Sequence, residues 1–174
     1  MLVPAKPYES VVNDLMWKIS YDPKYKYYQD YFEEYSFWSD QWRGHEFVSL
    51  NSEGEVIGLI RYLIHRQCYH VNNLSIIHFT DNDSFTFAKD VAQAIDDIFY
   101  KYNFNKLVHS VYIGNPVEKT YDKLHKKYGG RIVGVFEKEN RITTGEVVDE
   151  KYYEITRENY LKNRRIKNES IIMQ

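Results

Sequence analysis

The apolar positions of this chain recur with two periods, and their order predicts helices near the start followed by a sheet with further helices. Ser10 is the expected N-cap of a first helix. Its apolar residues fall at helical spacing: Val11, Val12, Leu15, Met16 and Ile19. Asp22-Pro23 then breaks the chain. A second helix is predicted after the break, with an aromatic face made of Tyr25, Tyr28, Phe32 and Tyr35.

The middle of the chain predicts a hairpin, a third strand and a helix. Two runs of strand-forming residues, 47–51 and 56–66, flank a loop in which Gly54 suits the positive φ of a hairpin turn. A third run, 73–79, is expected to join the same sheet. The stretch IIHFTDNDSFTFAKDVAQAI, residues 76–95, leads from this strand into a helix without any glycine in the joint. Apolar residues mark the buried face of that helix: Phe87, Val91, Ala94, Ile95, Ile98 and Tyr102.

The second half of the chain predicts three strands and one helix. A strand at 107–113 is closed by Gly114-Asn115-Pro116, which also opens a helix with proline near its first turn. Gly129-Gly130 ends that helix, and RIVGVFEKE and VDEKYYEIT predict two final strands. This order predicts a mixed α/β fold of the α+β kind, in which helices cover a mostly antiparallel sheet. At this length we expect a single domain over residues 1–174.

Composition narrows the class of protein. The chain carries 23 basic and 25 acidic side chains, a formal net charge of −2, so nucleic acid and anionic membranes are not expected partners. The single cysteine, Cys68, excludes a disulfide framework and is interpreted as structural. No metal site is predicted, because the six histidines are scattered and none pairs with an acid at ligand spacing. The absence of a signal-peptide pattern and of a long apolar run predicts a cytoplasmic protein.

The segment GNPVEKTYDKLHKKYGGRIVG, followed by YYEITRENY, completes an order of elements that resembles the GNAT superfamily of acyl-CoA-dependent N-acyltransferases. The resemblance covers residues 46–160, taken as the core, and is nearest the branch that acetylates ribosomal-protein N-termini. It implies a central strand pair, 74–79 and 107–113, that splays apart so that the pantetheine arm of acetyl-CoA enters the gap. Residues 1–45 would form a helical segment on the acceptor side.

The resemblance also implies a pyrophosphate site at the joint between the fourth strand and its helix. Family members carry Gln or Arg, two residues, Gly, one residue, then Gly or Ala. This chain has Asp83, Thr86 and Ala88 at those positions, so only Ala88 matches and the loop is atypical. Free N–H groups and the dipole of the helix N-terminus still favour a phosphate. The expected cofactor-binding residues are Ile77, His78, Phe79, Ser84, Phe85, Thr86, Phe87, Ala88, Lys89 and Asn115.

Acyl transfer from a thioester to an amine needs a deprotonated amine, donors for the oxyanion and a proton for the leaving thiolate. By the resemblance Tyr121 supplies that proton, although a second count along the helix selects His125, its i+4 neighbour. The structural alternatives are a core tyrosine and a surface histidine. His78 is the candidate base, with a structural histidine as the alternative. Glu46, Asp81 and water are further candidates.

The predicted activity is transfer of an acetyl group from acetyl-CoA to a primary amine by direct attack. Residues 21–46 hold ten aromatic residues and six acids against three bases, which favours an amine-bearing acceptor, either a small molecule or a protein N-terminus. The same aromatic residues are also compatible with packing against the sheet or with the interface of a homodimer. The alternative function is a GNAT-fold binding or regulatory module that has lost acetyl-CoA binding.

Overall fold

A mixed sheet of seven strands organises the computed structural model, which describes residues 1–28 and 35–172. In chain order the strands are β1 (Leu2–Pro4), β2 (Gly44–Leu50), β3 (Val56–His65), β4 (His70–His78), β5 (Lys106–Tyr112), β6 (Arg131–Arg141) and β7 (Val147–Thr156). They lie in the order β1-β2-β3-β4-β5-β7-β6, and every neighbouring pair except β4 and β5 is antiparallel. The predicted mixed, mostly antiparallel sheet is confirmed.

Helices cover the sheet, as predicted, and they lie on both of its faces. They are α1 (Glu9–Ser20), α2 (Ser84–Asp96), α3 (Glu118–Tyr128) and α4 (Arg157–Ile172), and a π-helical turn, Asp97–Lys101, extends α2. One core lies between α1 and the sheet, and a second lies between the sheet and the other three helices. Over the described ranges, none of the helices combines the length and the apolar character that crossing a bilayer requires.

The two central strands pair at one end only. β4 and β5 run parallel, and the structure describes every residue of both strands. They form two residue pairs, His70 opposite Lys106 and Val71 opposite Leu107. Beyond them β4 stays paired with β3 as far as His78, and β5 stays paired with β7 along its length. The predicted splay is therefore present, and it begins after the second residue of each strand.

The turns that bound these elements use the residues expected of them. Gly54 has φ 84° in the β2–β3 hairpin loop, and Gly129 has φ 72° immediately after α3. Both are left-handed conformations that an L-residue adopts only with strain. The predicted hairpin and the predicted end of α3 are confirmed.

The predicted second helix after Asp22-Pro23 is wrong for the residues that the structure describes. The chain forms only a 3-10 turn, Pro23–Tyr25, and residues 35–38 have no helical structure, while 29–34, which include Phe32, lie outside the described residues. Side chains take the backbone groups that a helix would need. Asn13 bonds both backbone groups of Tyr35 (2.5 and 3.0 Å), and two carboxylates accept from the next turn of chain: Glu9 Oε2 from Phe37 N and Glu46 Oε2 from Trp38 N, both at 2.8 Å.

Three smaller features also differ from the prediction. α1 begins at Glu9, so Ser10 lies inside its first turn and is not the N-cap. β1 pairs with β2 at one edge of the sheet, but a three-residue strand shows no period that a sequence could reveal. α4 continues where the terminal segment looked merely basic and then apolar, because Tyr160 anchors it, stacked on Phe99 with ring centroids 4.5 Å apart.

Candidate functional site

The gap between β4 and β5 opens into two cavities. The helix cavity, about 400 Å³, lies between α2 and α3 and includes His78 and Phe87 in its lining. The strand cavity, about 450 Å³, is lined from β4, β5 and the start of α3, and also by Glu150 of β7. Five residues line both cavities: Tyr28, Leu74, Ile76, Val117 and Tyr121. The two cavities therefore meet at the gap, with two tyrosines beside it.

The backbone groups of β4 that face the gap differ in part from those of the predicted residues Ile77, His78 and Phe79. The N–H of Phe79 donates to Ile57 O of β3 at 2.9 Å, so it is not free. Because the hydrogen-bonding direction alternates along an antiparallel pair, the backbone of Ile77 also faces β3. The side chain of Ile77 is buried in the core beneath α1. The backbone N–H groups of Ile77 and Phe79, two of the expected cofactor-binding residues, therefore point away from the gap, and those of Ile76 and His78 point into it.

Two tyrosine hydroxyls reach this free edge of β4. Tyr28 Oη donates to Ile76 O at 3.3 Å, and Tyr25 Oη donates to His78 O at 2.9 Å. Burial raises the pKa of Tyr28 to about 12, so its hydroxyl is protonated at neutral pH. Exposed strand edges carry unpaired polar groups. These two hydroxyls satisfy the carbonyls that β5 would otherwise bond.

The start of α2 offers three unpaired N–H groups. Asp83 precedes the helix in a left-handed conformation, φ 60°, and its side chain makes no cap hydrogen bond. The N–H of Phe87 already donates to Asp83 O at 2.9 Å, so within the described part of the chain the free groups are those of residues 84–86. The N–H groups of Phe87 and Ala88, two of the expected cofactor-binding residues, are therefore not free. No acid occupies the first turn of the helix. The side chain of Phe85 is 85% exposed, so it does not cover these N–H groups.

Small side chains and lysines flank the helix cavity from its two helices. Ala88 and Ala92 lie one turn apart on α2, and Lys123 and Lys127 lie one turn apart on α3. The alanines leave room between the helices, and the lysines bring positive charge to it. Lys89, predicted from the sequence, is exposed and is not among the lining residues. The lysine pair was missed, although its i, i+4 spacing on the predicted helix was the available signal.

Tyr121 lies at the junction of the two cavities, half-buried, with its ring set edge-on against His109 at 5.0 Å. Burial raises the pKa of its hydroxyl, which keeps the proton in place at neutral pH. His125 is not a surface residue as expected but is 2% exposed, because its ring stacks on Tyr153 of β7 at 4.3 Å. Of the two candidates on α3, Tyr121 is therefore the one that lines the gap.

Two buried histidines, His109 and His125, are hydrogen-bonded to each other and contact Tyr121. His125 Nδ1 lies 2.8 Å from Tyr121 O, and since a carbonyl only accepts, that nitrogen carries the proton. His125 Nε2 then accepts from His109 Nε2–H across 3.1 Å. This leaves His109 Nδ1 bare and buried, without a hydrogen-bond partner among the described residues. Burial, with a smaller effect from His125, lowers the pKa of His109 to about 3, so the pair is neutral.

His78 lies in the helix cavity and not in the strand cavity. Its ring stacks on Phe87 with centroids 4.4 Å apart, and its Nε2 is buried without a hydrogen-bond partner in the described part of the chain. Burial lowers the pKa of His78, and the nearby Lys24 lowers it further, so the ring is neutral at pH 7. The other base candidates are held elsewhere, Glu46 in an ion pair with Arg61 at 3.2 Å and Asp81 in an ion pair with Lys24.

A buried carboxylate, not found from the sequence, faces the strand cavity. Glu150, 7% exposed, accepts hydrogen bonds from Ser110 Oγ, from Asn140 Nδ2 at 2.7 Å and from Tyr152 Oη at 3.2 Å. Asn115 also lines this cavity, and its side chain accepts from Val117 N at 3.1 Å as a turn residue.

The aromatic N-terminal segment divides between two roles. Tyr27 and Tyr28 line the strand cavity. Tyr25, Tyr35 and Phe37 are buried in the core beneath α1, which is the packing alternative.

No protein-family model matches the sequence, and no curated protein matches it. Solved structures are similar to it. Mutant forms of the spermidine/spermine N-acetyltransferase SpeG from Vibrio cholerae have a TM-score of 0.71 at 18% identity, over 94% of this chain and 96% of that chain. An N-acetyltransferase from Staphylococcus aureus Mu50 has 0.69 at 16%, over 90% and 98%. SpeG in complex with manganese ions has 0.59 at 21%, over 88% and 77%. The chain therefore has the fold of these N-acetyltransferases.

Proposed function

We propose that the chain is an N-acetyltransferase that moves the acetyl group of acetyl-CoA to a primary amine of a cationic small molecule, of the polyamine class. The observation that carries this proposal is the gap between β4 and β5, which joins two cavities at Tyr121. A thioester arm from the helix cavity and an amine from the strand cavity would meet at that point. The solved structures of this fold include spermidine N-acetyltransferases, which supports an amine as the acceptor.

The helix cavity is the proposed acetyl-CoA site. The pantetheine arm would run along the free edge of β4 and hydrogen-bond the backbone of Ile76 and His78, displacing the hydroxyl of Tyr28. The diphosphate would lie between the N–H groups of residues 84–86 and the ammonium groups of Lys123 and Lys127. Positive charge supplied by α3 offsets the unfavourable carboxylate of Asp83.

The proposed chemistry is a direct transfer. The neutral amine nitrogen attacks the thioester carbonyl carbon, a C–N bond forms, and the oxyanion takes its hydrogen bond from a gap-facing N–H of β4. The C–S bond then breaks, and the hydroxyl of Tyr121 hydrogen-bonds the sulfur as negative charge develops there. The ammonium proton of the amine passes to Glu150 or to water. A role for His78 as base stays a prediction, since its ring lies on the cofactor side.

Glu150 is the proposed anchor of the acceptor. Its carboxylate is held by three donors, so its position is fixed before a substrate arrives. A cationic amine would gain a charge-assisted hydrogen bond there, while Tyr27 and Tyr28 supply aromatic walls on the other side of the cavity. A protein N-terminus, as in the ribosomal-protein branch, would use the same carboxylate and is the second acceptor to test.

The alternative is a module of this fold that binds no acetyl-CoA, and the atypical loop at Asp83 is the feature that favours it. Titrating the protein with acetyl-CoA separates the two. A ligand present at about one hundred times its Kd adds roughly 2.7 kcal/mol of stability, which a rise in Tm reports. An unchanged Tm and no heat of binding at millimolar acetyl-CoA would support the module. Release of free thiol with spermidine, spermine or a peptide then identifies the acceptor.

A paired lysine variant checks where the diphosphate binds. Lys123→Ala with Lys127→Ala is expected to weaken acetyl-CoA binding about ten-fold, since each exposed ion pair contributes roughly 0.2–1 kcal/mol. Lys126→Ala is the matched control, because that lysine is exposed on the same helix but does not line the helix cavity. Equal affinities for the double variant and the control would place the diphosphate elsewhere.

We also propose that the protein forms a homodimer. β6 is an edge strand with four exposed apolar side chains, Ile132, Val133, Val135 and Phe136, which would be covered by a second copy. Sedimentation analysis of the wild type against Val133→Lys with Val135→Lys tests this, and a monomeric wild type would contradict it.

A further inference from the structure

The turn between β3 and β4 brings two histidines, His65 and His70, close to Cys68, the cysteine interpreted as structural from the sequence. His65 ends β3, His70 begins β4, and the two are directly opposite in the antiparallel pair. Their rings stack with centroids 5.0 Å apart. Cys68 lies in the turn between them, and one ligand atom from each of the three residues lies within 4.8 Å of the other two. The histidines that looked scattered along the chain therefore include a cluster.

The turn that carries the cluster is held by its neighbours on both sides. Arg66 Nε donates to Trp42 O at 2.8 Å, and its guanidinium lies over the Trp42 ring at 4.2 Å. Tyr69, in a left-handed conformation with φ 54°, accepts from Asn105 N at 2.8 Å. Cys68 lies between these two fixed residues, so its backbone is held beside the imidazoles while its exposed side chain can rotate. A pre-formed arrangement lowers the ordering cost of binding an ion.

We propose that His65, Cys68 and His70 form a binding site for a zinc-class divalent cation, with its fourth position open to solvent. A thiolate and two imidazoles are donors that zinc prefers, and three protein ligands with one free position is a familiar zinc arrangement. With metal–ligand bonds of about 2.0–2.3 Å, tetrahedral binding needs ligand atoms roughly 3.3–3.6 Å apart. Rotation of the two exposed side chains, His65 and Cys68, closes the remaining distance.

The cationic side chains beside the cluster are Lys106 on β5 and Arg66 in the turn, whose guanidinium donates to Trp42 O and Gln41 O. Lys106, opposite His70 on β5, is paired at 3.3 Å with Glu154, a carboxylate that also pairs with Arg131 at 2.8 Å, so its charge is only partly compensated. A thiolate also reduces the charge of the bound ion.

The bound ion would link β3 to β4 at the end of the gap where β4 and β5 are still paired. His70 belongs to the short stretch in which β4 and β5 pair, while His78 at the other end of β4 lies about 26 Å away, at roughly 3.3 Å per residue. The site is therefore structurally separate from the proposed acetyl-transfer centre and does not depend on that function.

Cobalt provides the test, because Cys68 is the single cysteine and any thiolate-to-cobalt charge-transfer band must come from it. Metal-free full-length protein, kept reduced, is titrated with Co²⁺ and the complex is then competed with Zn²⁺. The expected result is one ion per chain, a near-ultraviolet band that Zn²⁺ removes, and a higher Tm with Zn²⁺. Cys68→Ser should abolish the band, and His65→Ala or His70→Ala should weaken Zn²⁺ binding at least ten-fold.

Gln67→Ala is the matched control, since Gln67 is exposed in the same turn and offers no preferred zinc ligand. It should bind as the wild type does. All the variants change residues at the exposed turn, and their metal-free Tm values verify that they fold. The proposal is overturned if the wild type binds no Co²⁺ at micromolar concentrations. It is also overturned if Cys68→Ser binds Zn²⁺ as tightly as the wild type, or if one ion requires two chains.

Discussion

Replacing Glu150 by Gln tests the acceptor half of the proposed site with little change in shape. The carboxylate faces the strand cavity, where it is the buried acid among the described lining residues. A hydrogen bond to a charged partner contributes about 1.5–3 kcal/mol. Since about 1.36 kcal/mol corresponds to a factor of ten, kcat/KM for spermidine should fall roughly 10- to 100-fold. The Kd for acetyl-CoA should not change, because Glu150 does not line the helix cavity.

The substitution also has a structural cost that must be separated from the loss of charge. One carboxylate oxygen accepts from Ser110 and the other from Asn140 and Tyr152. An amide offers a single acceptor oxygen, which can keep the bonds from Asn140 and Tyr152 while its nitrogen donates to the Ser110 hydroxyl. Any bond that is not remade costs about 1–3 kcal/mol of folding free energy. Tyr152→Phe removes one donor without altering the charge, and it should change kcat/KM less than three-fold. Chemical denaturation of both variants measures the change in the free energy of unfolding.

The assay follows free-thiol release at saturating acetyl-CoA, with spermidine and with an uncharged-tail monoamine as acceptors. If the carboxylate binds the acceptor's charge, the loss should be larger for spermidine than for the monoamine. A folded Glu150→Gln variant whose kcat/KM for spermidine stays within two-fold of the wild type would refute the assignment. Equal losses with both acceptors would instead mean that Glu150 acts on the reacting amine.

Three further predictions concern the gap, the buried histidines and the atypical loop. Tyr121→Phe should lower kcat about 10- to 100-fold with an unchanged Kd for acetyl-CoA, because it removes one hydrogen bond to a developing thiolate; equal loss in Kd and kcat would contradict that role. His109, neutral when folded, takes up a proton on unfolding below its ordinary pKa of 6.5, so stability should fall between pH 7 and pH 5 by about 2 kcal/mol from this group alone. His109→Gln should lose that share of the pH dependence in urea denaturation, and an identical pH profile would exclude His109 as its source. Asp83→Gly should tighten acetyl-CoA binding several-fold by removing both a like charge and a left-handed L-residue, and calorimetry showing weaker binding would mean that Asp83 contributes to the site.

Periodicity predicted the parts of this fold in which side-chain pattern and backbone geometry agree. α2 and the β2–β3 hairpin follow from residues such as Phe87 and Gly54, whose spacing or conformation has one structural solution. The segment after Pro23 failed because its aromatic spacing suits a helix, while Asn13 and Glu9 bind its backbone from another element. Such long-range competition for backbone groups has no signal in a local window.

The functional residues of the site were predictable only where a single helix or strand determines their position. Tyr121 follows from its position in α3, and the gap follows from the order of strands. Glu150 was not found, because it becomes a cavity residue only when β7 is inserted between β5 and β6, which brings Ser110 and Asn140 to it. The lysines at 123 and 127 likewise gain meaning only beside α2.

The edge of β4 that faces the gap lies inside the protein, where unpaired backbone groups are unfavourable. Tyrosines of the N-terminal segment form hydrogen bonds to this edge. The carbonyls of Ile76 and His78 would pair with β5 if the strands closed, but Tyr28 and Tyr25 already satisfy them. Each of these hydrogen bonds contributes a net stabilisation of only about 0.5–1.5 kcal/mol. Each hydroxyl therefore satisfies its carbonyl in the free protein, and a ligand is able to displace it. The amide groups of a pantetheine arm offer the same bonds. The edge that distinguishes this gap is therefore satisfied in the free protein by groups that a bound thioester is able to replace.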